Sequence, residues 1–178
     1  MHKKAKMPVA RQTAYLAAFT AGAILFSYAE TYLSAAVIPI PGVRLGLANI
    51  MILSVLCAFG LKQAILVSLA RTLVVSLLFS SLTSAVFSIC GSLLSILVMF
   101  LLYRCKIFSL YGISVAGAMM HNIGQLLAAA VVTGSFSIFS YTPYLMLCAV
   151  ITGIVIALLT NTVLTALQKI WKNERPEW

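Results

Sequence analysis

The chain has 178 residues, of which 62% are hydrophobic and 8% charged, and its mean hydropathy is +1.09. A soluble domain carries about a quarter of its residues as charged side chains, so this composition excludes a water-soluble globule, a disordered chain and a collagen-like fibre, and leaves a polytopic membrane protein. Lys and Arg number 12 against three acids, for a net charge of +9; these cations lie between apolar runs, a pattern of membrane topology rather than of nucleic-acid binding.

A bilayer core of ~30 Å takes about 20 helical residues, and the apolar runs predict an all-α bundle of six transmembrane helices spanning residues 13–168. A basic tail, residues 1–12, precedes the first helix, Thr13 to Ile38. That run exceeds the roughly 7–15 apolar residues of a signal-peptide core, so it is expected to be a retained helix. Ala14, Ala18 and Gly22 follow one another at four-residue steps, with Ala17 and Ala21 alongside. Small residues so spaced let another helix approach closely, either within the chain or as a docking face for a partner. Pro39-Ile40-Pro41-Gly42 cannot continue a helix. The stiff turn from Pro39 to Gly46 carries Arg44 just ahead of the next helix N-terminus, a place that attracts anions.

The second helix, Leu45 to Phe59, is short and has Asn49 near its start. Gly60 and Lys62 suit a tight turn. The third, Gln63 to Ser80, places Arg71 about 13 Å past Lys62 at 1.5 Å per residue, near the midplane. A weak break at Ser80–Ser84 leads to the fourth, Ser84 to Tyr103, which ends at the polar run Arg104-Cys105-Lys106. The fifth, Leu110 to Val132, contains His121, Asn122 and Gln125, whose spacing puts them on one helix face. Gly91, Gly112 and Gly117 read as packing positions. A loop from Thr133 to Pro143 leads to the sixth helix, Pro143 to Leu167, with Asn161 apart from the other polar residues, and then to a tail, residues 169–178.

With the N-terminus cytoplasmic, Lys3, Lys4, Lys6, Arg11, Lys62, Arg104, Lys106, Lys169, Lys172 and Arg175 all fall inside, and Arg44 alone outside. That is a strong positive-inside asymmetry, and an even number of spans returns the C-terminus to the cytoplasm. Trp171 is expected at the inner interface, Tyr141 and Tyr144 at the outer one.

An ionisable group at membrane depth costs about 2.5 kcal/mol or more, so it faces the bundle interior or a watery cavity. Glu30, Arg71 and His121 lie at such depths. With Arg44, Asn49, Asn122 and Gln125 they form the candidate ligand-binding set. For Glu30 and Arg71 the competing reading is a buried structural ion pair. Cations exceed acids in this set, which suits a ligand carrying a carboxylate or phosphate. Cys57, Cys90, Cys105 and Cys148 have neither CxxC nor metal-ligand spacing, so no disulfide and no metal site are expected. The chain contains no Asp, hence no aspartate cluster for magnesium-diphosphate chemistry. It has no GxxxxGK[ST], HExxH or GxSxG motif. It is expected to be neither an enzyme nor the holder of a cofactor.

The segments Pro41-Gly42-Val43-Arg44-Leu45-Gly46-Leu47-Ala48-Asn49-Ile50 and Val115-Ala116-Gly117-Ala118-Met119-Met120-His121-Asn122-Ile123-Gly124-Gln125, with Arg71 between them, resemble the Gx transporter family. That family is also catalogued as heptaprenyl diphosphate synthase component I, and the similarity runs from about Ala14 to Gly153. The family in turn resembles the substrate-binding S components of energy-coupling factor (ECF) transporters. This resemblance implies a six-helix protein of the cell membrane that captures a micronutrient, a small anion or an isoprenoid- or quinone-related compound. It implies as partners a membrane T component and two cytoplasmic ATPases, which use the ATP. It implies that the AxxxA pattern Ala14–Ala18 contacts the T component and that the loop from Pro39 to Gly46 covers the site. Two other readings stay open: a non-catalytic membrane subunit of heptaprenyl diphosphate synthase in menaquinone side-chain synthesis, and a stand-alone secondary transporter using Glu30.

Overall fold

A computed structural model describes residues 7–37, 44–79 and 82–173. Six α-helices follow one another: α1 Val9–Val37, α2 Asn49–Phe59, α3 Leu61–Phe79, α4 Leu82–Cys105, α5 Leu110–Thr133 and α6 Thr142–Asn173. A 3₁₀ turn, Phe136–Tyr141, occupies what reads in the sequence as a plain loop. No strand occurs among the described residues. The helices extend beyond the expected bounds at both ends of the bundle, α1 beginning at Val9 and α6 reaching Asn173. The turn at 38–43 and the break at 80–81 lie outside the described residues.

Five helices are long and apolar enough to cross a membrane, and α2 is not among them. At 11 residues it is about 16 Å long, half a bilayer core. The expected start at Leu45 is displaced to Asn49 because Arg44–Gly46 is non-helical and Gly46 has φ +88°. Non-helical backbone at membrane depth is tolerated only where protein surrounds it, and α2 meets that condition. It packs against α1, α3, α4 and α6. Ile50, Ile52, Leu53, Val55 and Leu56 are all at most 1% exposed, as in a helix apolar on every side and buried on every side. Around it α1 lies on α3, α3 on α4, α4 on α5 and α5 on α6.

The outer helices distribute their residues as lipid demands. Leu66, Leu73 and Leu77 of α3 and Leu97 and Leu101 of α4 are exposed on the outside. Hydroxyls point inward instead: Ser27 and Ser34 on α1, Ser68 and Thr72 on α3, Ser84, Ser88, Ser92 and Ser95 on α4 are all buried. At one end of the bundle Trp171 meets Tyr15 and Phe59 edge-on, with centroids 6.2 and 5.8 Å apart. This cluster joins the start of α1, the end of α2 and the end of α6. The four cysteines are free thiols.

Glycines let α4 and α5 cross closely. A Cβ on Gly124 would stand 2.8 Å from the Cys90 carbonyl oxygen and from Gly91 Cα, and one on Gly91 would stand 2.7 Å from the His121 carbonyl oxygen. Here α4 and α5 touch backbone to backbone, the small-residue mode of membrane helix packing. Gly117 faces the Met99 side chain across the same interface. Gly112 meets only Phe108 and Ser109 of its own turn, so it is no helix-packing position.

Candidate functional site

Every side chain of the expected ligand-binding set is buried: Glu30, Asn122 and Gln125 at 0%, Asn49, Arg71 and His121 at 2%, Arg44 at 6%. Most of them converge on the extended segment from Arg44 to Leu47 that precedes α2. The backbone N–H groups of Gly46 and Leu47 donate to Glu30 Oε1. Leu45 N–H donates to Ser34 Oγ at 3.2 Å. Gln125 grips the Arg44 peptide at two points: its Oε1 accepts from Arg44 N at 2.7 Å and its Nε2 donates to Arg44 O at 3.0 Å. These N–H groups lie just ahead of α2, whose own first donors bond back to the carbonyls of Gly46, Leu47 and Ala48. In this interior Glu30, Ser34 and Gln125 stand in for water.

The exposed backbone N–H groups expected to attract an anion therefore hold one that belongs to the chain. Glu30 sits at the positive end of α2, where the helix dipole favours negative charge, and Arg71 and Arg44 are within electrostatic reach of it. Arg71 is itself a tie between helices. One terminal guanidinium nitrogen donates to Ser27 Oγ on α1 at 2.8 Å, the other to Ser92 Oγ on α4 at 2.9 Å. The site thus contains the guanidinium of Arg71 and the carboxyl group of Glu30, with Arg44 near enough to act on both. Glu30 Oε2, Arg71 Nε and both amide atoms of Asn49 are buried without a hydrogen-bond partner among the described residues.

The three polar residues of α5 do not share one target. Gln125 points to the Arg44 peptide. A Cβ on Gly46 would stand 3.1 Å from His121 Cδ2, so the imidazole lies against the same segment. Asn122 turns away and donates from Nδ2 to Leu145 O on α6 at 2.9 Å. Consecutive helical residues point about 100° apart, which is why His121 and Asn122 part company. Asn161 is exposed, apart from the group. Ser27, Ser34 and Ser92, which hold Arg71 and the segment, were not singled out from the sequence. Their signal was present as Ser27–Glu30–Ser34 at steps of three and four, and as Ser84–Ser88–Ser92 at steps of four.

Gly46 is the centre of this arrangement. It adopts φ +88°, its N–H meets Glu30, and a Cβ there would crowd Asn49 Nδ2 and His121 Cδ2, both at 3.1 Å. Gly46→Ala is expected to cost about 1–2 kcal/mol, the scale of a left-handed conformation for an L-residue. Chemical unfolding in detergent checks this.

Of the expected docking residues, Ala14 and Ala18 are exposed on α1 together with Ala17, Ala21 and Leu25. Gly22 is turned toward α2, where a Cβ would stand 3.0 Å from the end of the Met51 side chain. The exposed small-residue face thus continues through Ala21 rather than Gly22. No group of three or more metal-ligating side chains occurs among the described residues.

Comparison with curated proteins and with solved structures gave no match. The family model described as heptaprenyl diphosphate synthase component I matches residues 19–163, a stretch holding every residue of the buried polar site. The chain therefore belongs to the heptaprenyl diphosphate synthase component I family.

Proposed function

We propose that this protein is the substrate-binding membrane subunit, an S component, of an ECF-type importer for a small anionic compound. The observation that supports the reading is that separate helices gather Glu30, Asn49, Arg71 and His121 in the buried interior, where Arg71 Nε and both amide atoms of Asn49 have no hydrogen-bond partner among the described residues. Buried polar groups are as a rule hydrogen-bonded, and a carboxylate or phosphate of a ligand is an acceptor for the Arg71 Nε donor. In this reading all six helices form the membrane domain, with α2 and the Arg44–Leu47 segment together traversing one path through it. The end bearing Arg11, Lys62, Arg104, Lys169 and Lys172 faces the cytoplasm of a cell membrane, by the positive-inside rule. The segment from Arg44 to Leu47 covers the site from the other side.

The exposed face of Ala14, Ala17, Ala18 and Ala21 is the docking surface for a membrane T component, which brings two ATPases. Tagged wild-type protein is expected to co-purify with these subunits, and Ala18→Leu to lose them while keeping its fold, since Ala18 touches the outside of the bundle. A wild type that brings down no ATPase, or an Ala18→Leu protein that brings them down equally, sinks this reading.

The family description supports a second reading, a non-catalytic membrane subunit of a heptaprenyl diphosphate synthase. It requires synthase activity in membrane extracts to fall when this chain is removed. Glu30, which accepts from Gly46 and Leu47, holds the backbone that leads into α2, which favours a structural role for it over that of a carrier of transported protons.

A further inference from the structure

The occupant of the polar site in this structure is a stretch of the chain's own backbone, so its side chains are arranged around amide groups. Gln125 reads the backbone N–H and the backbone carbonyl of one residue, Arg44, together. Asn49 offers the same pair of functions, an N–H donor beside a carbonyl acceptor, and neither has a partner among the described residues although the residue is 2% exposed. Asn49 Nδ2 and His121 Cδ2 both lie where a side chain on Gly46 would point, and Glu30 accepts from the Gly46 N–H. A buried amide left unpaired on both atoms is costly. An amide is matched best by a second amide edge, which pairs with it at two points.

Building on the binding reading above, we propose that the ligand presents an adjacent N–H donor and carbonyl acceptor, as in a lactam, ureide or carboxamide, to the side-chain amide of Asn49. The ligand's anionic group then faces the arginines and its amide edge faces Asn49. Asn49 is thereby a specificity-determining residue: a site built to hydrogen-bond a polar edge discriminates strongly against analogues that lack it.

Thermal stabilisation of the full chain in detergent, titrated with orotate and with benzoate, tests this. Both probes are flat six-membered rings bearing a carboxylate, and only orotate carries the ureide edge. Orotate is expected to stabilise the wild type at concentrations at least tenfold lower than benzoate. In Asn49→Leu the two are expected to act alike, at the benzoate concentration. If the leucine variant does not fold, Asn49→Ala, which has neither the donor nor the acceptor, gives the same comparison. Equal potency of the two probes on the wild type, or an orotate preference that survives in the variants, overturns the amide inference and leaves the anion site standing. Stabilisation by neither probe overturns the inference and counts against the anion site as well.

Discussion

An Arg71→Ala protein is expected to lose about 3–5 kcal/mol of stability, the cost of removing one partner from a buried charged network. Two effects add. The hydroxyls of Ser27 and Ser92 lose the donors that tie α1 and α4 through α3. The Glu30 carboxylate, at 0% exposure, keeps its two backbone donors but loses the Coulombic support of Arg71. The double variant Arg71→Met with Glu30→Gln is therefore expected to be more stable than Arg71→Ala, since it does not leave the Glu30 carboxylate without Arg71. Arg71→Lys is expected to fall between, because one ammonium group cannot span two serines on different helices with the planar fork of a guanidinium. Reversible unfolding in mixed detergent micelles measures all three. An Arg71→Ala protein within about 1 kcal/mol of wild type would mean that water reaches this site freely, contrary to its burial.

The second large effect is expected at the α4–α5 crossing. Gly124→Val places a branched side chain where even one Cβ meets the Cys90 carbonyl and Gly91 Cα at 2.8 Å. Both obstacles are backbone, so no rotamer change relieves them and the helices must separate. Overpacking typically costs about 1–3 kcal/mol, occasionally more, and this site is expected at or above the upper end. Separation also moves His121 and Gln125, which ride on α5, away from the Arg44–Leu47 segment. Gly117→Ala is the control. Its Cβ would meet Met99 Cγ at 2.5 Å, a side-chain rather than a backbone atom, and methionine can repack through its rotatable bonds, so a smaller loss than in Gly124→Val is expected. Equal losses in the two variants would show that the close approach at Gly124 is not what holds the pair together.

The site was legible in the sequence to the extent that its members are expensive in lipid. Glu30, Arg71 and His121 announce themselves because an ionisable group in a long apolar run demands a partner. That Glu30 and His121 meet at Gly46 was not legible, since it depends on where the Arg44–Leu47 segment comes to rest. The serines that complete the site were hidden for a chemical reason. A hydroxyl in a membrane helix can bond to its own helix four residues back, as Thr20, Thr31 and Thr72 do here, so an isolated serine carries little information. Only its periodicity beside Glu30 or along α4 distinguishes an inward-facing one.

That α2 is short was legible, but its start was obscured in a similar way. Leu45, Leu47 and Ala48 extend the apolar run of the helix without extending the helix itself. Gly46 marks the boundary, and one glycine in an apolar run does not reveal its φ. The helix count follows from hydropathy, whereas the start at Asn49 follows from side chains distant in sequence, Glu30 and Gln125, that give the preceding backbone a place to bond.

The central claim is that these polar side chains hold a small anion inside the bundle. Native mass spectrometry of the full chain, purified in mild detergent from its own membranes beside an Arg71→Gln variant, tests it most directly. The wild type is expected to carry a bound small anionic compound, and the variant to lack it while retaining its helical content. A wild type that carries no such compound, or a variant that retains it to the same extent, would contradict the claim.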